Sequence, residues 1–159
     1  MGTNYYLVYN EKVTDTCHCC GHETTKQKEL HLGKSSGGWV FALHVYPEQG
    51  IHTWADMLYE ILQVTGKGGW IKDEYGTEVE FEMFTDIVEN MGSDKTLEEK
   101  IAFMNIPGGY SPMAHRSIDE MLQRNNAVPG PNNLLRHKID QHCIGHGEGT
   151  YDYLVGEFS

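Results

Sequence analysis

The run Tyr5-Tyr6-Leu7-Val8-Tyr9 is aromatic and β-branched, which predicts a first strand that ends at Asn10. Glu29-Leu30-His31-Leu32 and Trp39-Val40-Phe41-Ala42-Leu43-His44-Val45 predict a hairpin joined by a wide glycine-rich turn from Gly33 to Gly38. In its second arm His44 falls on the alternating face of Ala42 and Tyr46, so a sheet-face role is expected for it. Thr53 stands three residues before Asp56, the spacing of a capping box, and Trp54, Met57, Leu58, Ile61 and Leu62 recur at helical intervals until Gly66. That pattern predicts a helix with its apolar stripe in the core.

Trp70-Ile71-Lys72 reads as a short strand, and Asp73-Glu74-Tyr75-Gly76 as the turn after it. Val79, Phe81 and Met83 then alternate as in a strand, whereas Phe84, Ile87, Val88 and Met91 keep helical spacing; a helix from about Phe81 to Met91 is favoured. Glu78, Glu80 and Glu82 are left as solvated surface. Thr96-Leu97-Glu98-Glu99 repeats the capping-box spacing and opens a helix to about Met104. The prolines and glycines from Asn105 to Ser117 predict a loop, and Ser117 to Arg124 a helix with Ile118, Met121 and Leu122 inward. Leu134 to Ile139 is expected to make one or two helical turns, Gln141 to Gly149 a glycine-rich loop, and Tyr151 to Phe158 a closing strand. The sum is a single α+β domain over residues 1–159: a small, largely antiparallel sheet packed against several helices.

Composition narrows the classes of function. The hydrophobic share of 39% is too high for a disordered chain, and no apolar run approaches the roughly 18 residues needed to span a bilayer. No charged-then-apolar leader opens the sequence, from which a cytoplasmic protein with no membrane partner is expected. The 23 acidic and 12 basic residues give a formal charge of -11, which repels a phosphate backbone, so no direct contact with nucleic acid is expected.

The densest chemistry lies in Cys17-His18-Cys19-Cys20-Gly21-His22. Neighbouring thiols make poor disulfide partners, and Cys17 and Cys20 have the two-residue gap that aims both sulfurs at one metal. Cys143-Ile144-Gly145-His146 has the same gap, so Cys17, Cys20, Cys143 and His146 form the preferred zinc site. Cys19, His22 and His31 remain open as third and fourth ligands.

Gly33-Lys34-Ser35-Ser36 ends like a phosphate loop, but Lys28 stands where that motif has its first glycine, and a strand follows it. What remains is an anion or ligand contact made by His31, Lys34, Ser35, Ser36 and Trp39. No Gly-x-Ser-x-Gly elbow is present, so covalent catalysis has little support. A metal-assisted hydrolase is the alternative, with His142, Cys143, His146 and either Glu148 or Asp140 as base.

The start Met1-Gly2-Thr3-Asn4-Tyr5-Tyr6, the cysteine knuckle, His31-Leu32-Gly33-Lys34-Ser35-Ser36-Gly37-Gly38-Trp39 and the ending Gly147-Glu148-Gly149-Thr150-Tyr151-Asp152-Tyr153 with Val155-Gly156-Glu157-Phe158-Ser159 resemble small uncharacterised proteins of tailed phages and prophages. The resemblance implies a phage-encoded protein acting in the bacterial cytoplasm. With the acidity, it leads to an accessory protein, stapled by zinc, that binds and inhibits or modulates a host or defence protein. Two alternatives stand beside it: a metal-dependent hydrolase or nucleotide-processing enzyme, and a module that sequesters a small nucleotide.

Overall fold

The computed structural model describes residues 2–14, 23–92, 97–99, 117–156 and 158. Its centre is a long hairpin of β1 (Gly2–Thr14) and β2 (Glu23–Ser36), paired from Gly2 with Ser36 to Thr14 with Glu23. The first strand therefore runs past Asn10, because Asn10 pairs with Gln27 and the ladder continues beyond them. β3 (Phe41–His44) follows β2 antiparallel, and β4 (Trp70–Asp73) with β5 (Glu78–Val79) extends the other edge. A small ribbon of β6 (Ala127–Pro129) and β7 (Leu135–His137) lies outside the main sheet. β8 (Cys143–His146) and β9 (Tyr151–Leu154) complete the main sheet in the order β5-β4-β1-β2-β3-β9-β8. Among the described strands of this sheet, β3 and β9 pair parallel and the other pairs are antiparallel. The α+β, mostly antiparallel architecture is the one expected.

One face of the sheet is apolar and carries the helices. α1 (Trp54–Thr65) starts at a complete Thr53–Asp56 capping box and buries Trp54, Met57 and Ile61. α2 (Phe81–Glu89) buries Phe84 and Val88. Their side chains meet Tyr5, Leu7, Leu32, Phe41 and Leu43 of the sheet, with the Phe84 ring 5.6 Å from Tyr5 and 5.8 Å from Phe41. α3 (Ile118–Arg124), capped by Ser117, packs Met121 on Ala127 and Leu135 of the ribbon. No helix among the described residues is long and apolar enough to cross a membrane.

Four further expectations need correction. Gly33-Lys34-Ser35-Ser36 is the end of β2, so the reversal is confined to residues 37–40. Leu134 to Ile139 is not helical: Asn132 and Asn133 take left-handed backbone (φ 55° and 63°) and return the chain antiparallel to β6, with Leu135 opposite Pro129. The glycine-rich run from Gln141 to Gly149 contains β8. The closing strand stops at Leu154; Gly156 turns at φ 83°, and the Phe158 ring packs at 4.9 Å on both His31 and His44.

Candidate functional site

Side chains alternate across a strand, so the residues paired with or two apart from Phe41 and Leu43 face the helices, while Ala42, His44, Asp152 and Leu154 face the other way. This second face is buried in part and polar. Two bulges give it its unusual content.

In β2, Tyr6 pairs with His31 and Tyr5 with Gly33, which leaves Leu32 as an extra residue. Leu32 and Gly33 both lie toward the core. A Cβ at Gly33 would run into the Ala42 carbonyl oxygen and the Phe41 ring, and its φ of 148° suits glycine alone. The consequence is that His31 and Lys34, which strict alternation would separate, project from the same face. In β8 the register slips between Cys143 and Gly145, so Cys143 and His146 likewise share a face with Asp152.

The first cluster is a pair of imidazoles. His31 Nε2 lies 2.9 Å from Asn4 Oδ1, an acceptor, so Nε2 carries the proton. His31 Nδ1 is then bare and accepts from His44 Nδ1–H at 2.9 Å. Tyr46 spends its hydroxyl proton on the His31 carbonyl at 2.6 Å, and its oxygen sits 3.1 Å from the same His44 Nδ1. These roles leave His44 Nε2 unprotonated, and nothing among the described residues partners it. His44 is only 8% exposed. Burial holds both rings in the neutral form, each lowered to about 4, with Lys34 and His44 adding to the effect at His31. An unpaired buried acceptor of this kind costs about 1–3 kcal/mol. His44 borders a cavity of about 210 Å³ walled also by Tyr6, His31 and Phe158.

The second cluster is built on Asp152, which is fully buried. Arg136 Nε donates to Oδ1 at 2.7 Å, and the backbone N–H and Nδ1 of His137 meet Oδ2 at 2.8 and 3.1 Å. Arg136 also reaches the carbonyls of Gly149 and Tyr151 at 3.0 and 3.1 Å, which pins β7 against β9. Cys143, His146 and Asp152 bring ligand atoms within 4.8 Å of one another, a cluster that could hold a metal ion. His146 is prepared for it. Its Nε2 donates to the His137 carbonyl at 2.7 Å, which leaves Nδ1 as the nitrogen without a proton, the arrangement usual for a ligating histidine. Burial, and then the Asp152 carboxylate, push the Cys143 thiol up to about 11; a metal would have to displace its proton.

Between the clusters lies a further cavity of about 210 Å³, lined by Lys34, Ser36, Trp39, His137, Leu154 and Phe158. The Trp39 and His137 rings sit 4.8 Å apart at an interplanar angle of 34°. Lys34 makes no ion pair with any described residue.

No family model, curated protein or solved structure matches this chain.

Of the five ligand contacts expected, Lys34, Ser36 and Trp39 line this cavity and His31 lines the neighbouring one. Ser35 pairs with Thr3 and projects from the opposite face. Of the four expected metal ligands, Cys143 and His146 come together, with Asp152 as an unforeseen third member. Cys17 and Cys20, and with them Cys19 and His22, lie outside the described residues, as does most of the helix expected from Thr96. The bases suggested for a hydrolase fare differently. Glu148 is exposed and is not a member of the ligand cluster. Asp140 is occupied in accepting the backbone N–H groups of His142 and Cys143 at 2.7 and 2.9 Å, which makes it a turn cap. Asn4, Arg136, His137, Asp152 and Phe158 were missed. Asp152 left a signal: it is a polar residue inside an otherwise apolar strand, Tyr-Asp-Tyr-Leu.

Proposed function

We propose that this chain acts by binding, and that the polar face of its sheet holds a small nucleotide. The observation that carries this reading is the cavity lined by Lys34, Ser36, Trp39 and His137. A phosphate group needs a cation and donors around it, and a flat ring needs an aromatic wall. On a chain of net charge -11 an anion is repelled at long range, so a local lysine that pairs with no carboxylate among the described residues matters more than it would on a basic protein. Sequestration of a nucleotide also suits a phage-type accessory protein. The wider role, redirecting a host or defence protein, rests on the resemblance of the chain ends and on acidity.

For the Cys143, His146 and Asp152 cluster we infer zinc, which takes sulfur, imidazole and carboxylate together. Bound there, it would tie β8 to β9 beside the cavity and serve as a staple. Metal analysis of protein purified without chelator should find about one zinc per chain. Protein with none would refute the assignment.

Calorimetric titration with nucleoside monophosphates should give saturable binding, weakened about tenfold or more by Lys34→Ala, since a charged hydrogen bond is worth about 1.5–3 kcal/mol. The absence of binding across the panel would refute the proposal.

A further inference from the structure

The two cavities on the polar face share Phe158 as a wall, and each measures about 210 Å³. Neither reaches the roughly 300 Å³ at which small-molecule pockets usually begin, whereas the two together pass it. They differ in chemistry. One presents Lys34 and Ser36; the other presents three aromatic or imidazole rings besides His44, with no cation of its own.

We infer that the cavity of Tyr6, His31, His44 and Phe158 is a base-reading subsite, in which His44 Nε2 accepts a hydrogen bond from an N–H on the edge of a nucleobase whose phosphate lies at Lys34 and Ser36. This rests on the nucleotide reading above and adds to it the feature of the ligand that is recognised. Asn4 Oδ1 fixes the proton of His31 on Nε2, His31 Nδ1 fixes that of His44 on Nδ1, and Tyr46 has no proton left to turn the chain around. The far edge of His44 is therefore a fixed acceptor, more than nine-tenths buried, at the wall of a space lined by rings on which a base could stack. A buried acceptor built in this way selects for a donor, because a ligand without one leaves it unpaired.

The test compares adenosine 5′-monophosphate, whose exocyclic amine donates, with purine riboside 5′-monophosphate, whose base has no N–H. The first should bind about tenfold tighter to the wild-type protein, and His44→Phe should remove the difference while Lys34→Ala weakens both. If His44→Phe fails to fold, the nitrogen resonance of His44 Nε2 in wild-type protein gives the same answer. It should move from the bare to the hydrogen-bonded range with adenosine monophosphate and stay still with the analogue. Equal affinities for the two ligands, or an unmoved resonance on saturation, would overturn the base-reading subsite and leave phosphate binding intact. Failure of both ligands to bind would overturn the nucleotide reading, and the subsite with it.

Discussion

Acidification is the sharpest probe of the buried histidine pair. His31 and His44 fall from 6.5 in the unfolded chain to about 4 in the fold. Because the folded value is the lower one, both states hold neutral rings above 6.5 and the pair's contribution to stability is complete there. Between 6.5 and about 4 the unfolded chain takes up protons that the fold refuses, so stability declines, and below about 4 the loss levels off. A depression of this size corresponds to about 3 kcal/mol for one imidazole. The two do not add in full, since they share a hydrogen bond and His31 is partly exposed; a combined loss of about 3–6 kcal/mol is expected. Urea unfolding followed from neutral pH downward would measure it, and the Cε1–H resonances of the two rings would report their titration site by site. Rings that titrate near 6.5, or a urea midpoint that does not change over this window, would refute the reasoning.

Gly33→Ala should destabilise the fold by about 2–4 kcal/mol in thermal melts, because the new methyl meets the Ala42 carbonyl and the Phe41 ring; a change within experimental error would show that the bulge can relax. Arg136→Ala leaves the Asp152 carboxylate buried without its cation and should cost about 3–5 kcal/mol in urea, whereas the double change Arg136→Met with Asp152→Leu should cost less. Equal losses in the two variants would argue that Arg136 acts through packing alone. The Cys143 thiol, 2% exposed and raised to about 11, should resist iodoacetamide in the metal-free fold at neutral pH and react in urea, as read by site-resolved mass spectrometry. Rapid labelling of the folded protein would contradict its burial.

Local signals in the sequence were sufficient where one element decides its own conformation. The Thr53–Asp56 box and the stripe from Trp54 gave α1, and the aromatic run at Tyr5 gave the start of β1. They were insufficient where a tertiary partner decides. Leu134 to Ile139 is expected to make a helical turn or two, yet Leu135–His137 is a strand, held where Arg136 reaches Asp152 and three carbonyls of the loop before β9 and of β9 itself. The site was half legible for a related reason. His31, Lys34, Cys143 and His146 are conspicuous by type, but period-two alternation puts His31 opposite Lys34 and Cys143 opposite His146. The register slips that unite them depend on neighbouring strands, and no residue type announces them, Gly33 excepted.

The parallel pairing of Phe41 with Tyr151 sets a timetable for the molecule. β3 is synthesised long before β9, so the ladder that joins them must wait for all the chain between and must meet the entropy of closing a very long loop. Asn4, His31, Lys34 and His44 come from one side of that wait, and Arg136, His137, Asp152 and Phe158 from the other. A chain that stops short of β9 lacks half of the binding face, which makes the synthesis of β9 and Phe158 the event that completes the site.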